Sequence, residues 1–471
     1  MTEMRLVIIG AGPGGYSAAI RAVQLGAKVV LVEKDQPGGT CLNRGCIPSK
    51  IMKRSADMSH DLREAASFGL VGDAASFEVR MDVLRARQKK IIDGQAQGLA
   101  RHFKALGIYL VKGTARVEKP GSVIVAKDDG SEESFEYDQL LLAVGSVPTS
   151  LPGLAVDGRK IISSDQALWM EDKPKSMLVV GGGVIGCELA QIFHEFGTQV
   201  TIVEGLERIL PLPGLDEEIS KSYMRCLKKI KLPFVTGMTL AGVSESAGGL
   251  TASIKPFVGE GEAREMEFEK ILLSIGRRPA VEGLGLEALG VTFDQRGWVE
   301  AGIDFRTKAR NIWAIGDCLG PGRVMLAHVA TAEALAAVEN MFGGNRAVNY
   351  DQVPSAVFTS PEIGSIGLTL AQAGEKFPGS KACDFLFRQL GKAQAMGETD
   401  GLVRLIVGPD GRVLGGHILG ACATSLIAEV ALAVTKGLGA EDLASTIHAH
   451  PTLPEGIWEA SLAAVGRPLH G

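Results

Sequence analysis

No stretch of this 471-residue chain stays apolar for long enough to span a bilayer, so membrane insertion is not expected. Positive charge is not in excess either. Forty-nine Lys and Arg against 54 Asp and Glu leave a formal net charge of −5, which gives no electrostatic footprint for nucleic acid. Cysteines number only seven, at 41, 46, 187, 226, 318, 383 and 422. An odd, scattered set is a poor disulfide framework, so a reducing cytoplasm is the expected setting. No C-x-x-C and no paired Cys/His spacing occurs, which argues against a metal centre. The opening "MTEMRLVIIGAG" is already a strand running into a glycine turn, and neither a signal nor a transit peptide fits there. Aromatics are scarce too, with five tyrosines against 60 glycines. So much glycine implies many close backbone approaches, which suits nucleotide binding better than a β-sandwich.

What is present is one device in two copies. "RLVIIGAGPGGYSAAIRAVQLGAKVVLVEKD" reads as strand, glycine turn, helix and strand, with Gly10, Gly12 and Gly15 forming G-x-G-x-x-G and Glu33 closing the second strand. "SMLVVGGGVIGCELAQIFHEFGTQVTIVEG" repeats it with Gly181, Gly183, Gly186 and Glu204, 171 residues further on. The glycines let the backbone approach a pyrophosphate at a helix N-terminus, and the carboxylate accepts hydrogen bonds from ribose hydroxyls. The fold class is therefore α/β with two Rossmann-like dinucleotide-binding domains. Two nucleotide sites in one chain point to two redox carriers, FAD and a nicotinamide. Glu204 favours NAD over NADP, because a carboxylate repels a 2′-phosphate; Arg208 is the nearest cation after it.

The first unit runs directly into "GGTCLNRGCIPSK" (38–50), with Cys41 and Cys46 five positions apart. On a regular helix such residues are separated by about 7.5 Å along the axis and roughly 140° around it. A bridge needs Cα atoms within about 7 Å, so pairing them demands an irregular turn. Such a disulfide would be labile and catalytic; the alternative is two free packing cysteines.

The run Gly39–Lys50 resembles the redox signature of the large flavin-dependent pyridine nucleotide–disulfide oxidoreductases, with wording closest to the dihydrolipoamide dehydrogenases. The resemblance covers essentially the whole chain. It implies that Cys46 is the flavin-proximal sulfur, that Cys41 is the interchange sulfur, and that Lys50 stands near the flavin paired with Glu188. "LLLAVGSVPTSLPG" (140–153) and "ILLSIGRRPA" (271–280) look like the exit strands of the two units, with Gly145 and Gly276 at their turns. "RTKARNIWAIGDCLG" (306–320) resembles the second flavin motif, which implies that Asp317 bonds the ribityl chain. Downstream, "VMLAHVATAEALAAVENMFGG" (324–344) reads as a long helix, and the resemblance implies that its N-terminal N–H groups, with Ala327 among the cofactor-binding residues, face the flavin pyrimidine. Residues 56–97 carry helix-period apolar spacing.

From about Asn349 the texture becomes strand and turn, similar to the family's C-terminal dimer-interface domain, which implies a homodimer. "HAHPTLPEGIWEA" (448–460) matches the family's His-Pro-Thr-x-x-Glu, so His450 would be the acid–base and Glu455 its orienting carboxylate. The family takes this residue from the second chain, as His450 of the partner subunit. His448 is the weaker candidate. The implied domains are 1–149 (FAD with the cysteine pair), 150–276 (NAD), 277–348 (central, completing the flavin site) and 349–471 (dimer interface). The implied activity is oxidation of protein-bound dihydrolipoamide through a Cys41–Cys46 disulfide and FAD, with NAD reduced. The implied partners are lipoyl domains of a 2-oxoacid dehydrogenase acyltransferase or a glycine-cleavage carrier protein. The alternative is another NAD(P)H-dependent flavin-disulfide reductase acting on a different thiol.

Overall fold

The structure is a computed structural model that describes residues 3–73, 76–246 and 249–470. Its first sheet is wholly parallel, in the order Ile312–Ala314, Gln139–Leu142, Arg5–Ile9, Lys28–Glu33 and Tyr109–Lys112. Arg5–Ile9 lies at its centre, and apolar Leu6, Val7 and Ile8 are buried there, as a strand covered on both faces requires. The second sheet follows the same plan: Phe234–Thr236, Gln199–Glu204, Ser176–Val180, Lys270–Leu273 and Ile161–Ile162, again parallel throughout. In each unit a three-stranded antiparallel meander precedes the strand that returns beside the central one, Gln139–Leu142 or Lys270–Leu273. In the first it is Thr114–Lys119, Ser122–Ala126 and Glu132–Glu136; in the second, Met238–Ser246, Gly249–Pro256 and Arg264–Phe268. A short antiparallel pair, Ser146–Pro148 with Arg277–Pro279, ties the two exit segments together.

The C-terminal residues form a five-stranded antiparallel sheet, in the order Ser355–Val357, Glu362–Gly367, Val413–Gly420, Leu402–Val407 and Lys381–Leu386. Helices Ala423–Lys436 and Glu455–Ala464 pack on it around Val403, Leu405, Ile418, Val430 and Ile457. The units are not independent. One apolar cluster joins Met52 and Ala56 of helix Cys46–Glu64 with Phe193 of helix Val184–Glu195 and with Val357 and Leu402 of the C-terminal sheet. The helix-period region 56–97 divides between helices Cys46–Glu64 and Met81–Ala105, because Gly69 at φ +77° ends the short turn Ala65–Phe68. Among the described residues, no helix is long and apolar enough to cross a membrane.

The duplication extends to individual bonds. Gly10 N–H donates to Val32 O and Gly181 N–H to Val203 O, both at 2.8 Å. Gly10 and Gly181 have φ of +101° and +104°, and a Cβ on either would stand 2.3 or 2.5 Å from the carbonyl of Ala143 or Ser274. The third glycine of each motif seats the helix on its own turn: a Cβ at Gly15 would lie 1.7 Å from Gly10 O, and at Gly186 2.0 Å from Gly181 O. Helices Pro13–Gln24 and Val184–Glu195 both begin without a side-chain cap. Their first N–H groups are therefore left for a ligand, whereas helix Glu217–Lys229 caps its own with Asp216.

Gly15→Ala is expected to lower the thermal midpoint by overpacking, on the order of 1–3 kcal/mol. Gly12→Ala, whose new Cβ meets nothing nearer than Gly39 Cα at 3.8 Å, leaves the midpoint of the ligand-free protein unchanged. Thermal denaturation of the two variants checks this pair.

Candidate active site

Glu33 and Glu204 end their strands and turn back on their glycine loops. Glu33 Oε2 accepts from Ala11 N–H at 2.7 Å and Oε1 from Asp35 N–H at 2.9 Å. Glu204 repeats this with Gly182 N–H at 2.6 Å and Leu206 N–H at 2.8 Å. Each carboxylate is thus fixed in orientation and keeps further lone pairs for hydroxyl donors. Burial pushes the Glu33 carboxyl above the usual range, against the Ala11 bond. Arg208, the cation nearest Glu204 in sequence, is held by the carbonyls of Leu212 and Leu215, at 3.2 and 3.4 Å. It is committed to its own loop.

The cysteine segment starts against the first glycine turn. Gly38 N–H donates to Ala11 O at 2.9 Å, and Gly39 packs so closely on Gly12 that a Cβ at 39 would lie 2.6 Å from Gly12 Cα. Cys41 sits in helix Gly39–Arg44, Gly45 breaks that helix, and Cys46 begins helix Cys46–Glu64. Asn43 braces the first helix by donating to the carbonyls of Gly39 (2.9 Å) and Pro37 (3.2 Å), while Trp169 Nε1–H caps Asn43 O at 3.1 Å. The break brings the two sulfurs into hydrogen-bond contact, as two free thiols. Their acidities are driven apart. The bond from Cys41, aided by the Lys50 charge, lowers Cys46 to about 7 against the opposing effects of burial and Glu188. That same bond, together with burial, pushes Cys41 far above the usual thiol range. The direction of the two shifts favours the thiolate at Cys46 over one at Cys41, and the thiolate is the reactive form.

Lys50, one helical turn after Cys46, places Nζ 2.8 Å from Glu188 Oε2 and 4.0 Å from the centre of the Phe358 ring. Glu188 is buried, and its Oε1 accepts Phe358 N–H at 3.0 Å. Gln191, one turn on, exchanges two bonds with the Ser360 backbone, at 2.7 and 2.8 Å.

Gly145 and Gly276, both at positive φ, flank the antiparallel pair that leads to Asp317. Asp317 Oδ2 accepts from Ser146 Oγ at 2.7 Å, and Arg277 Nε reaches Ser146 Oγ at 2.6 Å and Asp317 at 3.9 Å. Gly316 N–H is anchored on buried Glu333 at 2.6 Å, which also accepts the Tyr350 hydroxyl at 2.5 Å. Helix Ala327–Met341 runs parallel to helix Pro13–Gln24, as the contacts Ser17–Thr331 and Arg21–Glu339 show. Its N-terminus at Ala327 therefore lies at the same end as the glycine turn. His328 bonds Pro354 O at 2.9 Å.

His450 Nδ1 lies 2.8 Å from Glu455 Oε1, and Glu455 Oε2 accepts Thr452 N–H at 2.7 Å. Burial alone would raise the Glu455 carboxyl, but the Thr452 and His450 bonds outweigh it and hold it below the usual range. With Nδ1 engaged, Nε2 is the nitrogen left for a proton. The His450 side chain is 78% exposed, and among the described residues it has no bond to either cysteine. His448 turns inward instead, to Glu429 Oε1 and Thr446 O, both at 2.9 Å.

Ser146, Arg277, Glu333, Tyr350 and the Phe358 N–H escaped sequence reasoning. Only Ser146 and Arg277 left a signal, as the residues that follow the two exit-turn glycines.

Comparison with known proteins gives a consistent result. The model for pyridine nucleotide-disulphide oxidoreductases matches residues 4–334, and that for their dimerisation domain matches 353–461. A dihydrolipoyl dehydrogenase of Bacillus subtilis is 39% identical over 479 residues, covering 100% of this chain and 99% of its own. The dihydrolipoamide dehydrogenase of Chaetomium thermophilum is 39% identical over 99% of this chain and 92% of its own. Among solved structures, LpdA from Mycobacterium tuberculosis superposes with a TM-score of 0.89 at 26% identity, covering 98% of this chain and 99% of that one.

Alkylation of the reduced protein by iodoacetamide should follow the Cys46 thiolate, with a midpoint near the value of about 7. Lys50→Met removes a stabilising cation, so the midpoint should move up and the rate at neutral pH should fall. A midpoint that ignores the substitution would contradict this electrostatic account.

Proposed function

Because the chain belongs to the pyridine nucleotide-disulphide oxidoreductase family, we propose that it is a FAD-dependent dihydrolipoyl dehydrogenase, oxidising protein-bound dihydrolipoamide and reducing NAD. The carrying observation is the broken helix that sets Cys41 and Cys46 beside the first glycine turn, with Lys50 one turn after Cys46 and paired with Glu188. Relatives bearing the dihydrolipoyl dehydrogenase name over their full length support the choice of substrate.

The residues fit a dinucleotide at each glycine turn: uncapped helix N–H groups, glycine backbone without Cβ obstruction, and an oriented carboxylate. Gly10, Gly12, Gly15, Glu33, Gly145, Asp317 and the helix start at Ala327 would hold FAD. Gly181, Gly183, Gly186, Glu204 and Gly276 would hold NAD. When bound, FAD supplies a two-electron carrier between the cysteine pair and NAD. Residues 1–149 and 277–348 form the flavin unit, 150–276 the nicotinamide unit and 349–471 the dimer unit. The committed Arg208 supports NAD over NADP. The odd, scattered set of seven cysteines supports a reducing cytoplasm as the setting.

The chain's own chemistry is thiol exchange. A dihydrolipoyl thiol gives its proton to Nε2 of His450 of the partner subunit, whose Nδ1 is steadied by its glutamate. The resulting thiolate attacks Cys41 Sγ of the oxidised pair, the Cys41–Cys46 bond breaks, and Cys46 leaves as a thiolate. Lys50 and the helix N-terminus stabilise that leaving group. The second substrate thiol then displaces Cys41 from the mixed disulfide and departs as cyclic lipoamide. Cys41, whose environment disfavours the anion, takes up the proton that the second substrate thiol loses, while the first stays on His450 of the partner subunit. The exposure of His450, and of Ile447 beside it at 95%, supports a surface completed by a second copy. Lipoyl domains of a 2-oxoacid dehydrogenase or glycine-cleavage carrier are the partners this chemistry serves.

NADH formation from dihydrolipoamide, run beside glutathione and with NADP as competing acceptor, tests the reading. Turnover with dihydrolipoamide and NAD is expected; equal turnover of glutathione, or a preference for NADP, overturns it. Cys46→Ser should retain flavin absorbance and lose NADH formation. His450→Gln should lower kcat roughly 100-fold or more, the scale of general acid–base catalysis.

A further inference from the structure

The two nucleotide units part company at the residue after the strand-ending acid. The first copy continues Glu33 with Lys34 and Asp35; the second continues Glu204 with Gly205 and Leu206. Gly205 does not have the left-handed φ that would explain a glycine there. Its lack of a side chain admits something else: a Cβ at 205 would stand 3.0 Å from Cγ and Cδ2 of the Phe257 ring. Lys34 allows no such seat in the first copy.

Phe257 opens the loop that joins Gly249–Pro256 to Arg264–Phe268, and its backbone is pinned to the Glu204 turn by a relay. Phe257 N–H donates to Gly237 O at 2.9 Å, Gly237 N–H to Leu206 O at 3.0 Å, and Leu206 N–H to Glu204 Oε1 at 2.8 Å. The ring is thus fixed beside the carboxylate at the carboxyl edge of the parallel sheet, the edge at which ligands bind in open α/β sheets. Yet it is 52% exposed, and Leu206 and Val258 next to it are 49% and 83% exposed. An aromatic ring with anchored backbone, half in water and bordered by apolar side chains, offers a flat face beside a ribose acceptor.

We propose that Phe257 is the adenine platform of the NAD site, stacking on the base while Glu204 holds the adenosine ribose. The base is attached directly to the ribose, so whatever Glu204 grips must carry adenine into its neighbourhood. This rests on the reading of Glu204 as the ribose anchor. Stacking on an aromatic face needs no base-specific hydrogen bond, so a platform suffices for affinity.

The test is calorimetric titration of the FAD-loaded dimer with ADP-ribose, which carries adenine and both riboses but no nicotinamide. Phe257→Ala should weaken binding about tenfold, within the range for losing one base–aromatic stack. Gly205→Ala, which pushes the ring from its seat, should weaken it as well. Phe257→Trp should restore affinity, and its indole fluorescence should be quenched by ADP-ribose. Binding to Phe257→Ala as tight as to the wild type, or an unquenched tryptophan, overturns the platform and leaves the NAD reading standing. Failure of the wild type itself to bind overturns both.

Discussion

Glu188 is a buried carboxylate whose two oxygens are divided between the Lys50 ammonium and the Phe358 N–H. An unpaired charge at that depth would be strongly destabilising, so the three elements that meet there are held in one arrangement. They are the helix that starts with Cys46, the helix that starts at the second glycine turn, and the connection between the first two strands of the C-terminal sheet. The acidity of Cys46 depends on where Lys50 stands, and Lys50 stands where Glu188 holds it. Nucleotide domain, redox pair and dimer domain therefore share one electrostatic joint. The apolar cluster running from Met52 through Phe193 to Leu402 reinforces it.

The repeated glycine turn shows how far one local solution can be reused. Backbone bonds, left-handed glycines and the oriented carboxylate recur almost bond for bond. What differs is what is built beyond the turn. The first copy runs into a cysteine helix that packs on Gly12; the second ends in an open edge where Phe257 stands over Gly205. Similar stereochemistry at the pyrophosphate end leaves the chain free to diverge at the ends that decide which carrier is held and for what.

Much of the site was legible because its logic is local. Gly10, Gly15 and Glu33 fall within one strand–turn–helix, so their spacing exposes them, whereas Cys41 with Cys46 and His450 with Glu455 are short local runs whose roles came from the family resemblance. The remainder joins residues far apart in the chain. Ser146 meets Asp317 across 171 positions and Glu188 meets Phe358 across 170, and no periodicity marks such pairs. The second employment of Glu33 and Glu204, orienting on their own turns, was likewise hidden because its donors are backbone N–H groups that every residue has. Arg208 looked like a free cation in sequence and is spent on two carbonyls.

The first sheet is closed by Ile312–Ala314, a strand that follows the whole of the second nucleotide unit. The second sheet draws all its strands from a continuous span between Ile161 and Leu273. As the polypeptide emerges from the ribosome, the later unit has every strand it needs while the earlier one still lacks its edge and the helix at Ala327. The outer sheet therefore cannot be closed until the strand that follows the entire inner module has been made.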